Sequence, residues 1–319
     1  MPALERAIVA VVRDCLGIRE GEEVLVVADA ATEALGLALR AGAEDVGADA
    51  VMAFMTEREE NGTEPPAAVA AALSAVDAFV APTSKSLSHT QARKAATDAG
   101  VRGATLPGVT EEMLGRLMGG DFETMRRRSR AVAELLSRGS SAHLTCPRGS
   151  DLVLDLTGRE AIADDGDLRE PAAFGNLPCG EGFVAPLSGS GTFYATSLAS
   201  VGLVDDPVEL VVEDGALARA EGGAAGEAFF ARLDAHGADG RHLAELGVGT
   251  NEQATLTGNV LEDEKILGTV HVAFGASAGI GGTVSVPVHL DCVVLDATLD
   301  VDGEPVLDAG RFVLDGGAS

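Results

Sequence analysis

The sequence predicts an α/β N-terminal domain with a parallel sheet over residues 1–138, followed by a largely antiparallel α+β domain over residues 139–319. Three observations predict it. A chain of 319 residues is long for one hydrophobic core and suits two domains. Up to residue 138, short apolar runs alternate with segments of helical periodicity, the pattern of a parallel sheet layered with helices. Beyond residue 139 the runs alternate apolar with polar residues and are broken by Gly, Pro and Asp, as antiparallel strands are.

The first helix is MPALERAIVAVVRDCLG, with Glu5, Arg6, Arg13 and Asp14 at helical spacing. EEVLVVAD (22–29) is the first strand, ATEALGLALRAGAEDVG (31–47) a helix and ADAVMAFM (48–55) the second strand. PPAAVAAALSAV (65–76) opens on prolines, which suit a helix start. DAFVAPT (77–83) is a third strand, and SHTQARKAATDAG (88–100) a helix with a serine cap and a glycine stop. VRGATLPG (101–108) is a fourth strand, and two helices follow over 109–120 and 121–139. In the second half, strands are expected in SSAHLTCPRGSDLVLDLTG, DPVELVVEDGALARAEGG and VHLDCVVLDATLDVDGEPVLDAGRFVL, with a helix over 224–237.

Composition excludes several classes of function. The net charge of −27 leaves no basic face to neutralise phosphates, so a nucleic-acid partner is not expected. No apolar run approaches the roughly 18 residues of a membrane span. The N-terminus lacks the apolar block and cleavage site of a signal peptide, so the expected location is cytoplasmic. Lysines are few (Lys85, Lys94, Lys265) and acids many, which suggests a halophilic host; full stability in dilute buffer would refute that. Cys15, Cys146, Cys179 and Cys292 lie far apart without a CxxC pair, so they read as small buried residues. The arginine run MRRRSR (125–130) reads as a solvated face that pairs with local acids.

Several polar residues do not fit their surroundings. In VPVHLDCVVL (286–295), His289 and Asp291 share one face of a strand whose other face is apolar, so they need each other or a metal ion. His271, in EDEKILGTVHVAFG (262–275), shares a strand face with Thr269 and Ala273. Taken alone it reads as a hydrogen-bonded core histidine. Glu181, between Gly180 and Gly182 in GNLPCGEGFVAP (175–186), reads alone as a solvated turn residue, and Glu245 in LAELGVGTN (243–251) as a surface residue or cap. Together they weigh differently. Two imidazoles and one carboxylate form the facial set that holds Fe(II), and adding Glu181 and Glu245 gives five ligands, enough for two divalent ions sharing a bridge. Nucleophile-elbow, dinucleotide-loop and P-loop spacings are absent from SGSGTF, GVGTNE and GASAGIGG.

In that order, GNLPCGEGFVAP, LAELGVGTN, EDEKILGTVHVAFG and VHLD resemble the aminopeptidase T family of leucyl-type metallopeptidases. The resemblance spans residues 139–319 and implies a dimeric two-metal hydrolase, with zinc, cobalt or manganese, that removes N-terminal residues from small peptides. It implies Glu181, Glu245, His271, His289 and Asp291 as metal ligands, with Glu245 bridging and acting as general base. There is one departure: the position seven residues past His271, a tyrosine in those peptidases, is Ala278, and the lone tyrosine, Tyr194, lies elsewhere. If that tyrosine stabilises the oxyanion, its loss removes one donor. The sequence is also similar to 2,5-dihydroxypyridine dioxygenase, an Fe(II) enzyme on the same scaffold. That similarity implies a single Fe(II) held by His271, His289 and Asp291, with His89, in TSKSLSHTQAR, as a substrate-side acid/base. Without it, His89 reads as a polar residue in a helix's first turn. The hydrolase is the leading expectation and ring cleavage by the dioxygenase the alternative.

Overall fold

The computed structural model describes residues 1–314. The chain divides into two compact units, the first made of Met1–Phe122 and Gly166–Cys179, the second of Glu123–Asp165 and the chain from Gly180 on.

The first unit is built on a five-stranded parallel sheet, in the spatial order Asp49–Phe54, Glu23–Ala28, Ala78–Ala81, Arg102–Thr105, Phe174–Asn176. The three inner strands are almost wholly buried, as strands covered on both faces must be, which is why EVLVVA and AFVA read as unbroken apolar runs. Leu25, Val27, Leu73, Phe79, Leu87 and Val101 pack into one core cluster. Helices Glu33–Glu44, Ala67–Leu73 and Gln91–Asp98 connect the strands. The first helix, Ala3–Val9, continues as a π-helical stretch, Ala10–Cys15. The expected serine cap is corrected: Thr90 accepts from the Arg93 backbone N–H, because the helix starts two residues later than the first polar residue suggests.

The second unit carries a thirteen-stranded sheet in which every pairing is antiparallel. Four neighbouring strands matter most here: His289–Val294, Val270–Gly275, Leu243–Gly249 and Glu181–Val184, in that order across the sheet. One face of these strands presents Leu290, Cys292, Val294, Val270, Val272, Phe274, Leu246, Val248 and Val184 to a single large core. Helix Phe122–Arg138 adds Val132, Leu135 and Leu136 to that core, and helix Gly223–Asp234 adds Phe229 and Leu233. Each fully buried Leu or Phe there contributes roughly 1.5–3 kcal/mol. Gly182 allows the close approach of the long helix, since a Cβ would meet Val132 and the Ser129 carbonyl.

The expected division at 138/139 therefore differs from the observed one at both ends. Helix Phe122–Arg138, from Glu123 on, belongs to the second unit because its apolar stripe fills that core. Residues 166–179 return to the first unit to supply its fifth strand. The arginine run is also less solvated than expected: Arg126 is buried and donates to the Asp165 carbonyl, and Arg130 pairs with the Asp165 carboxylate. All four cysteines are free thiols, three of them buried. Among the described residues, no helix is long and apolar enough to cross a membrane.

Candidate metal centre

Five polar side chains rise from the face of the four strands opposite the core. The register explains how. His289 stands beside Gly275, Asp291 beside Ala273, and Ala273 in turn beside Glu245. His271 stands beside Gly247, and Glu181 beside Gly249. Small residues thus alternate with ligand-type side chains across the sheet and leave them room. At Gly247 the need is steric, because a Cβ would overlap the His271 ring.

Glu245 reaches this face through a β-bulge. The register between the Leu243–Gly249 and Val270–Gly275 strands shifts between Leu243 and Glu245, leaving Ala244 as the extra residue. Leu243 lies in the core, and so do Leu246 and Val248. In a regular strand Glu245 would follow Leu243 into the core; the bulge turns it onto the polar face instead.

The ligand atoms fall into two groups, each within 4.8 Å: Glu181, Glu245 and His271, and Glu245, His289 and Asp291. Glu245 joins them. Its Oε1 lies 3.2 Å from His271 Nε2 and its Oε2 3.4 Å from His289 Nε2. His271 Nε2 is also 3.3 Å from Glu181 Oε2, and His289 Nε2 is 3.4 Å from Asp291 Oδ1. His289 Nδ1 lies 2.7 Å from the Ala276 carbonyl, which can only accept; Nδ1 therefore carries a proton and Nε2 is left to face the cluster. The two groups differ in access. His271 is fully buried and Glu181 nearly so, whereas the His289 and Asp291 side chains retain 19% and 15% exposure.

A second layer lies behind Glu181. Lys265 is fully buried and its ammonium touches three carboxylates: Glu264 at 2.7 Å, Glu181 at 2.8 Å and Asp164 at 3.6 Å. The whole run EDEK (262–265) is buried, although such a run normally reads as solvated. Glu262 accepts from the Thr255 backbone N–H and hydroxyl, and Asp263 from Ser197, Thr257 and Gly258. Sequence reasoning missed Lys265, Glu264 and Asp164. The available signal was a lysine, rare in this chain, set in the turn between a short helix and the strand Val270–Gly275.

The electrostatics follow from gathering three carboxylates around one buried ammonium and setting a fourth, Glu245, between two imidazoles. Burial pushes Glu181 up to about 8 against the pull of Lys265, and Asp164 up to about 7. Burial likewise raises Glu264. Burial works against a proton on His271, yet its hydrogen bond to Glu245 and the charge of Glu181 raise it to about 9. His289 is raised well above its ordinary value against the same burial, chiefly by Asp291. Burial would raise Glu245 too, but the two imidazoles hold it at about 2. The cluster thus gathers positive charge, and protons on two histidines are one way to supply it.

A divalent cation is another, and the donor set fits one: two imidazoles and three carboxylates, with Glu181 Oε2 buried and without a hydrogen-bond partner. All five expected ligands come together. The readings of Glu181 as a solvated turn residue and of Glu245 as a surface residue or cap are corrected, since both lie on strands and are more than nine-tenths buried. His89 belongs to the first unit, as an exposed turn residue before the Thr90 cap. Ala278 opens a short 3₁₀ turn, and the Tyr194 hydroxyl donates to Glu209.

The family model for NicX, 2,5-dihydroxypyridine 5,6-dioxygenase, matches residues 4–314. The fold is similar to 2,5-dihydroxypyridine dioxygenase from Pseudomonas putida KT2440, with a TM-score of 0.82, 20% identity, and coverage of 97% of this chain and 96% of that one. It is also similar to AmpT from Thermus thermophilus, with a TM-score of 0.71, 21% identity, and coverage of 98% and 99%. No curated protein matches the chain. At these identities the two structures speak to the fold, which is the α/β plus antiparallel architecture expected from the sequence. The family match falls on the branch that the sequence reading placed second, behind the aminopeptidases. Matched over nearly its whole length, the chain is a member of the NicX, or 2,5-dihydroxypyridine 5,6-dioxygenase, family.

Proposed function

We propose that this protein is a ferrous-iron dioxygenase that opens the ring of a dihydroxylated aromatic, with a dihydroxypyridine as the first substrate to try. The observation that carries the reading is the family match over residues 4–314, which encloses the whole ligand cluster. His271, His289 and Asp291 are the two imidazoles and one carboxylate that suit Fe(II) with positions left open. Iron held there would relay electrons from the ring to dioxygen and so lift the spin barrier between dioxygen and a closed-shell ring.

The chain's own residues do the rest. The Ala276 carbonyl orients the His289 ring. Burial of His271, Glu181 and Glu245 keeps water from that side of the cluster. Asp291 and His289, being partly exposed, form the side that substrate can reach. Glu245, between the two imidazoles, orients both rings from the buried side. His89 keeps its proposed part as a substrate-side acid/base, and a homodimer stays an expectation of the resemblance.

The test is oxygen uptake after anaerobic loading with ferrous iron, across dihydroxylated pyridines and benzenes. Uptake matched by loss of the ring's absorbance, one dioxygen per ring, supports the reading; no uptake across the panel removes it. A second reading, an aminopeptidase-type hydrolase, is favoured by one specific observation: Glu245 is shared by two ligand groups, as a bridge between two ions would be. Release of free amino acids from unblocked peptides with Zn, Co or Mn would establish it instead.

A further inference from the structure

We infer that Lys265 is a positioning residue: a built-in counter-cation that keeps the ligand cluster assembled whether or not a metal is bound. The inference rests on the metal-binding part of the reading above and is independent of the reaction catalysed.

The geometry is specific. The Lys265 side chain is completely buried, and its ammonium is shared by Glu264, Glu181 and Asp164. These come from three separate places: the turn after helix Val260–Asp263, the strand Glu181–Val184 and the strand Ile162–Asp164. The last two strands pair in register, with Asp164 opposite Glu181, so two carboxylates lie side by side on neighbouring strands. Like charges so placed repel, and burial strengthens the repulsion. Lys265 resolves it at one end, binding Glu181 through Oε1 and leaving Oε2 turned to His271. The backbone fixes where the lysine starts: its carbonyl accepts from the Asn251 N–H, and its N–H donates to the Glu262 carbonyl.

A consequence follows for metal binding. A cation already placed beside Glu181 weakens that carboxylate's attraction for a second cation. In return, the cluster does not need the metal in order to fold. Without Lys265, three buried carboxylates would depend on protons or on the metal itself, and folding would become linked to metal binding.

Wild type and Lys265→Met are compared by thermal unfolding in high salt, in EDTA and with added Mn²⁺, and by Mn²⁺ titration against a fluorescent chelator. The metal-free variant is expected to melt lower by on the order of 10 °C. Mn²⁺ is expected to raise its melting temperature more than it raises that of wild type, and to bind it roughly tenfold more tightly. Lys265→Arg, which keeps the charge, should restore the wild-type response to Mn²⁺. If Lys265→Met does not fold in either condition, Lys265→Met/Glu264→Gln, which removes one carboxylate with the cation, carries the same comparison. Equal Mn²⁺ shifts and affinities in wild type and variant overturn the inference and leave the metal reading intact. Absence of Mn²⁺ or Fe²⁺ binding by wild type would overturn both.

Discussion

The two halves of the ligand cluster are built from the same residue types and treated differently by the fold. Around Glu181 and His271 everything is closed: the imidazole is fully buried, the carboxylate is pinned by Lys265, and a glycine makes room for the ring. Around His289 and Asp291 the side chains are partly exposed; the Ala276 carbonyl and the Asp291 and Glu245 carboxylates lie against the His289 ring. Glu245 belongs to both. The difference teaches a division of labour: on the proposed reading, the closed half would hold a cation by preorganised charge, and the open half would leave it accessible to small molecules.

The comparison can be broken most forcibly at His271. His271→Ala removes a ligand and takes from the buried Glu181 and Glu245 the imidazole they share, leaving them only Lys265 and His289 respectively, so it should cost on the order of 3 kcal/mol of stability as well as metal binding. Denaturant titration together with metal analysis checks this. His289→Ala, on the open half, should lower metal affinity and turnover more than about a hundredfold while barely changing the unfolding midpoint. Equal destabilisation by the two substitutions would erase the distinction between the halves. Gly247→Ala sharpens it further: the added methyl displaces the His271 ring, costing about 1–3 kcal/mol and weakening metal binding without touching a ligand.

The smallest effect is one of pH, at a histidine that is not among the five ligand-type residues. Partial burial and the nearby Arg159 charge depress His242 below its ordinary value. A histidine depressed in the folded state stabilises above its unfolded pKa, and that contribution is lost as pH falls from about 6.5 towards the folded pKa. The metal-loaded protein should therefore melt slightly lower as pH falls through that window, and His242→Gln should flatten the slope.

Much of the site was legible because strand periodicity is strict. The H-x-D spacing placed His289 and Asp291 on one face, and His271 followed from its alternation with Val270 and Val272. Glu245 was harder to read alone, because the bulge at Ala244 that turns it to the site leaves no mark in the alternation of LAELGVG. Lys265 was missed since a charged run normally lies in water, and only three-dimensional closure shows its carboxylate partners. The boundary between units was misplaced for a related reason. The periodicity of Phe122–Arg138 announces a helix, but not which core its stripe will fill. The strand Phe174–Asn176 is three residues long, too short to rise above the surrounding turn signals.

The central claim is that Glu245 joins both halves into one cation-binding cluster. It is tested most directly by measuring iron per chain after anaerobic loading and desalting, in wild type and in Glu245→Ala. Wild type should retain about one equivalent and the variant less than about a tenth of that. Equal retention by the two proteins would contradict it.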